Sequence, residues 1–277
     1  MPSFWELIMF PGDNKLEDAH GYQGQHMDAY VSHPPPTAGT QWPAIIVVQE
    51  AFGVNRHIEK VCDRFAQAGY VAVAPAMFHR EHPNPKLGYG EADVPARTKY
   101  MAALKDDEII TDLKYTVDYL KNMYPRTQGQ KIGIVGFCVG GRIAYLAAAT
   151  VPGLSAAVAY YPGRALVPFG EGNKAPIELT SQIKIPVMGN FGGTDQNPSP
   201  ADVAKLEAEL KKAKVTYDFK SYPQAGHGFN CDERTSYHKA SADDAWTRTV
   251  GWFDKYLKTA APSGARAGAA AGGARRR

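Results

Sequence analysis

Residues 131–141 read K-I-G-I-V-G-F-C-V-G-G, and this stretch restricts the fold more than any other. Its first half is short, apolar and β-branched, which predicts a strand buried on both faces. Residues 139–149 then continue as an apolar helix. Between strand and helix, Gly136, Gly140 and Gly141 bracket Cys138, so the two elements can approach closely around a strained turn. A strand that feeds a helix in this way belongs to a sheet of mainly parallel strands covered by helices.

The rest of the chain repeats the alternation. After a polar N-terminal segment, strands are predicted at 44–49, 70–74, 131–135, 156–160, 185–190 and 215–221. Helices are predicted at 57–68, 106–122, 139–149, 201–213 and 238–257. In the first helix Ile58, Val61, Cys62 and Phe65 recur at helical spacing and Gly69 ends the run. The pattern is that of an α/β protein with a mainly parallel sheet and helices on both faces. There is no internal repeat. The expected organisation is an N-terminal extension (1–25), one domain (26–259) and a disordered Ala/Gly/Arg tail (260–277). Residues 164–182 are polar and punctuated by Pro and Gly; they read as a loop insertion that could lie over the site.

Composition removes several function classes. The chain has 277 residues, 44% of them hydrophobic, enough for one sizeable core. Its net charge of +3 comes from the tail, whose four arginines, taken from 31 basic residues, leave 27 against 28 acidic. The body therefore has no basic surplus for nucleic acid. The tail lacks the large apolar side chains that would offset the entropy of ordering; its arginines either suit an anion or carry no function. No apolar run is long enough to span a membrane, and the first residues do not form a signal peptide. Three cysteines without an export signal point to free thiols and the cytoplasm. No cofactor is expected, and the assembly state is a monomer or small homo-oligomer.

The turn at Cys138 has the form of a nucleophile elbow. The helix after it points its N-terminus at the sulfur and favours the thiolate, the reactive form. The Val139 N–H, free at the helix start, can face an oxyanion. A small buried cysteine is the alternative, and that reading suits Cys62 on its apolar helix face; Cys231 stays undecided. The partner histidine should follow the last strand, as His227 does within Ala225-Gly226-His227-Gly228. His20, His26 and His33 precede the sheet, while His57 and His238 sit at helices. The i, i+3 pair His79 and His82 has no further ligand cluster, so no metal is expected. Asp195, in Gly192-Gly193-Thr194-Asp195, lies after a strand between Cys138 and His227. It is either the acid that fixes the imidazole tautomer or a turn residue capping the helix near Ala201.

With these motifs in hand, the chain resembles the dienelactone hydrolase (carboxymethylenebutenolidase) family, which implies the α/β-hydrolase fold. The resemblance rests on Gln49-Glu50-Ala51-Phe52-Gly53-Val54-Asn55, Ala74 to Arg80, Gly136 to Gly141, Gly192 to Asp195 and Ala225 to His227, in family order over residues 26 to 257. It implies that Glu50 gates the nucleophile, that Ala51 gives a second oxyanion N–H beside Val139, and that Arg80 holds a substrate carboxylate. Glu50 also ends a buried strand, where an acid is costly unless paired or functional. The family's second substrate arginine would fall at Cys231, and the nearest arginine is Arg234. The implied reaction is hydrolysis of small esters or lactones, such as a dienelactone opened to maleylacetate, with Cys138, Asp195 and His227 as the catalytic trio. A broader carboxylesterase or thioesterase is one alternative. A non-catalytic binding protein of the same fold is another, though such a protein has no need of all three residues.

Overall fold

A computed structural model of the chain describes residues 1–9 and 26–258. The expected tail and most of the expected N-terminal extension lie outside the described residues. One eight-stranded sheet carries the fold, in the order β1-β2-β4-β3-β5-β6-β7-β8. The strands are β1 (Ser3–Met9), β2 (His26–Ser32), β3 (Ala44–Val48), β4 (Val71–Pro75), β5 (Ile132–Phe137), β6 (Leu154–Tyr160), β7 (Val187–Gly192) and β8 (Tyr217–Tyr222). β1 pairs antiparallel with β2, and β2 antiparallel with β4; β4, β3, β5, β6, β7 and β8 run parallel.

The helices are α1 (Arg56–Gln67), α2 (Val94–Ala103), α3 (Asp106–Asp118), α4 (Val139–Thr150), α5 (Pro200–Lys212) and α6 (Lys239–Leu257). They cover the sheet according to the two-residue period of its strands. Ile46, Val48, Ile132 and Ile134 pack in one core with Leu113 of α3, Ile143 of α4 and Leu206 of α5. Ile45, Val47, Val135 and Phe137 pack in the other with Ile58 and Phe65 of α1 and Phe253 of α6. Among the described residues no helix is long and apolar enough to cross a membrane.

Three features differ from expectation. Ser3–Met9 is an edge strand of the same sheet, so the first residues are not simply appended to the domain. Its partner β2 buries Met27, Ala29 and Val31, an alternation short enough to pass for polar sequence. Helix α2 escapes a reading by pattern because it has no buried residue and hence no apolar stripe. The segment 164–182, expected as a loop insertion, is fastened to α4 at several points, and at its start the Arg164 N–H donates to Asn197 at 2.9 Å. Buried Arg142 donates to Asp106 at 2.6 and 2.9 Å and to the carbonyls of Arg164 and Val167 at 3.1 and 2.6 Å. Its guanidinium also stacks 3.6 Å from the Phe169 ring. A buried arginine is tolerated when its donors are satisfied in this way.

Candidate active site

The parallel register assembles the site. Val48 pairs with Gly136, so Ala51 and Val139 each stand three residues past a paired position, just beyond the carboxyl ends of neighbouring strands. Cys138 forms the corner between β5 and α4 with φ 56° and ψ −118°, a conformation that an L-residue holds only when its surroundings impose it. Here they do: its N–H donates to the Tyr160 carbonyl at 3.1 Å, and its carbonyl accepts from the Arg142 N–H at 3.1 Å. The glycines explain themselves sterically. A Cβ on Gly136 would stand 1.9 Å from the Gly140 carbonyl oxygen, and one on Gly140 would stand 2.4 Å from those of Val48 and Gln49. The start of α4 is thereby pressed against the end of β3, which brings the Val139 and Ala51 amides to the same rim. Val139 is the first residue of α4, so its N–H has no partner within the helix.

Two further loops follow β7 and β8. Gly192 allows them to touch, since a Cβ there would stand 2.7 Å from the carbonyl oxygens of Ala225 and Gly226. Asp195 is buried. It accepts from the Asn197 N–H at 2.8 Å through one oxygen and faces His227 Nδ1 at 2.8 Å through the other. The cap of α5 is Ser199, which accepts from the Asp202 N–H at 3.2 Å; Asp195 is thus not that helix's capping residue. Burial by itself would lower the His227 pKa. Hydrogen bonds to Asp195 and to Cys138 outweigh it and push the value up from 6.5 to about 10. With Nδ1 on Asp195, Nε2 remains for the sulfur. Tyr161 packs edge-on at 5.2 Å from the imidazole. The outer face of Asp195 and His227, with Thr194, Gln196 and Asn197, lines an open depression of about 370 Å³.

Glu50 is buried at the end of β3, and neither of its oxygens has a hydrogen-bond partner among the described residues. The loop after His227 turns back on itself and carries Arg234 to Glu50, with Nη1 3.6 Å from Oε1. A Cβ on Gly228 would stand 2.2 Å from that same nitrogen, so the glycine beside His227 makes room for the guanidinium. Arg234 also lies 5.6 Å from the Phe52 ring and 5.9 Å from that of Tyr89. Cys231, undecided from sequence, is buried and donates to the Tyr89 hydroxyl at 3.2 Å. Burial and the neighbouring Glu50 push its thiol up to about 11.

Arg80, expected to hold a substrate carboxylate, is engaged by acidic neighbours. Its guanidinium is held by buried Asp112 at 2.6 and 2.8 Å, with Glu108 at 3.5 Å and His79 at 2.9 Å. The hollow it lines, about 20 Å³ between α2 and α3, contains none of Cys138, His227 or Glu50. An arginine already neutralised bidentately is not a free carboxylate anchor. Sequence reasoning misses three residues instead. Arg97 on α2 lies 5.4 Å from the Phe52 ring, the same ring that Arg234 flanks. Tyr89 reaches Cys231 and accepts from Asn55 at 3.0 Å. Tyr161 directly follows β6 with φ 34° and a buried hydroxyl. Its position past a strand end is the one signal by which it could be singled out.

The arrangement brings together a thiol at a strained corner, an imidazole paired with a buried carboxylate, and two amides at neighbouring strand ends. The sequence model described as "Dienelactone hydrolase family" matches residues 27–257. A protein of Escherichia coli (strain K12) named "Putative carboxymethylenebutenolidase" is 37% identical over 238 residues, 84% of each chain. One of Bradyrhizobium sp named "Probable 2-oxo-3-(5-oxofuran-2-ylidene)propanoate lactonase" is 29% identical over 232 residues, 83% of this chain and 90% of that one. The crystal structure titled "Putative Dienelactone Hydrolase" from Klebsiella pneumoniae superposes with a TM-score of 0.75 at 32% identity, covering 92% of this chain and 100% of that one. The chain belongs to the dienelactone hydrolase family, a family of carboxylic ester hydrolases with the α/β-hydrolase fold.

Proposed function

We propose that the chain, as a single hydrolase domain over residues 26–259 that Ser3–Met9 extends by an edge strand, acts in the cytoplasm and opens small carboxylated lactones through a thioacyl intermediate on Cys138. The observation that carries this reading is the strained corner at Cys138 facing an imidazole that Asp195 holds at 2.8 Å. The Cys138 thiolate adds to the ring carbonyl, and the Ala51 and Val139 N–H groups receive the oxyanion. As the ring C–O bond breaks, imidazolium His227 gives its proton to the leaving oxygen, which stays tethered to the acyl chain. The now neutral ring takes a proton from water, and the hydroxide attacks the thioester. Collapse expels the thiolate and leaves a carboxylic acid, which loses its proton to solvent, while His227 keeps the proton it took from water. Glu50, buried without a hydrogen-bond partner beside this machinery, acts as the gate on the nucleophile.

The carboxylate preference rests on Arg234 and Arg97, which flank the Phe52 ring next to Ala51, in place of Arg80. The names of the two relatives above both describe a lactone ring bearing a carboxylate, which supports the same substrate class. A charge-assisted contact of this kind contributes roughly 1.5–3 kcal/mol, or about 10- to 100-fold in discrimination. The test compares kcat/KM for a carboxylated butenolide and its neutral methyl ester in wild type, Arg234→Met and Arg80→Met. The expected result is an acid preference that falls by that factor in Arg234→Met and persists in Arg80→Met. The reverse pattern would return the anchor to Arg80. No acid preference in wild type would favour the broader esterase.

A further inference from the structure

The same loop that returns Arg234 brings Cys231 up to Glu50 and His57. Among the described residues these three form the one group whose sulfur, imidazole nitrogen and carboxylate oxygen all lie within 4.8 Å of one another. Each is buried: Cys231 is 0% exposed, Glu50 1% and His57 3%. Both Glu50 oxygens and His57 Nε2 lack a hydrogen-bond partner among the described residues. Buried polar atoms left this way cost free energy and call for an explanation. Arg234 stands 3.6 Å from Glu50 Oε1, and a ligand would share the carboxylate with it.

We propose that Glu50, His57 and Cys231 form a binding site for a thiophilic divalent cation, Zn²⁺ by its ligand chemistry. One carboxylate oxygen, one imidazole nitrogen and one thiolate suit zinc and do not suit magnesium or calcium, which take oxygen ligands. Ligand atoms about 2.0–2.3 Å from a tetrahedral ion stand about 3.3–3.8 Å apart, so from separations within 4.8 Å side-chain shifts of about 1 Å close the site. Cys231 loses its proton to solvent as the Zn–S bond forms, and water fills the fourth position. The Tyr89 hydroxyl then turns from accepting to donating and supports the thiolate from outside the ligand set. A cavity of about 80 Å³ reaches His57 from the α6 side past Asn230, Asp232 and Asp243, with Lys60 and Arg64 also on its wall. Cys138 is not among its lining residues, so an ion can arrive without crossing the nucleophile. An occupant would hold Glu50 away from Cys138 and stop turnover. That consequence rests on the gating role proposed for Glu50, whereas binding does not.

The experiment titrates the full chain carrying Cys138→Ser, which removes the nucleophile's competing thiolate, with Co²⁺ as a spectroscopic substitute for Zn²⁺. The expected result is saturation at a single equivalent, with a sulfur-to-cobalt charge-transfer band that Zn²⁺ displaces. Adding Cys231→Ser should abolish the band. Adding His57→Gln should keep it but weaken binding by at least about 10-fold, as should Tyr89→Phe. Circular dichroism reports the fold of each variant, and His57→Gln carries the test should Cys231→Ser not fold. No charge-transfer band in Cys138→Ser, a band that survives loss of Cys231, or affinity untouched by His57→Gln would each overturn the site.

Discussion

Cys138→Ala is expected to lower kcat/KM by on the order of a million-fold, with the circular-dichroism spectrum little changed. The size follows from the mechanism. Every covalent step uses the sulfur, and alanine offers no weaker nucleophile in its place. The fold tolerates the change because the Cys138 backbone, through the Tyr160 carbonyl and the Arg142 N–H, holds the corner, and alanine gives up only the side-chain hydrogen bond to His227. Alkylation mapped by mass spectrometry should find Cys138 before Cys62, which is fully buried. Full activity in the alanine variant would remove the nucleophile from the account.

Asp195→Asn is expected to cost about 10⁴-fold in kcat, because an amide cannot fix the imidazole tautomer as a carboxylate does. Combined with Cys138→Ala or His227→Ala, it should add little, since the three act as a unit; additive losses would show that they do not cooperate. The same variant has a pH signature. His227 is raised from 6.5 to about 10 in the folded protein, so its protonated form stabilises the fold fully below about pH 6.5. That contribution shrinks as pH rises and is lost above about pH 10. Exchanging the carboxylate for an amide weakens one of the two hydrogen bonds that raise the value and removes the charge behind it. The melting-temperature gap between wild type and Asp195→Asn should therefore be widest near pH 6 and narrow toward pH 10. A gap that widens with pH would contradict the assigned protonation.

What the sequence reveals follows the depth of burial. β3 to β7 are short β-branched or apolar runs because both faces are covered, and that pattern is readable without coordinates. The Cys138 turn is readable for a related reason, since its glycines answer clashes that any such strand-to-helix corner creates. α2 escapes because an exposed helix leaves no apolar period. Arg80 misleads because its neighbours in sequence resemble a family motif, while its partner Asp112 lies 32 residues away on α3. Pairing over that distance leaves no local trace. Arg234 is placed by a loop that folds back over Gly228 and brings its side chain to Glu50, a contact that its position in the sequence does not show. Arg97 becomes meaningful only once α2 is placed against the Phe52 turn.

The central claim is that turnover passes through a thioester on Cys138. Acid quench within the first turnovers of a slow ester or lactone substrate, followed by peptide mapping, tests it directly. The predicted result is an adduct of the acyl mass on the peptide containing Cys138, accumulating further in Asp195→Asn and absent in Cys138→Ala. Turnover with no acyl adduct on that peptide, or an adduct on Cys231 or another residue instead, would contradict it.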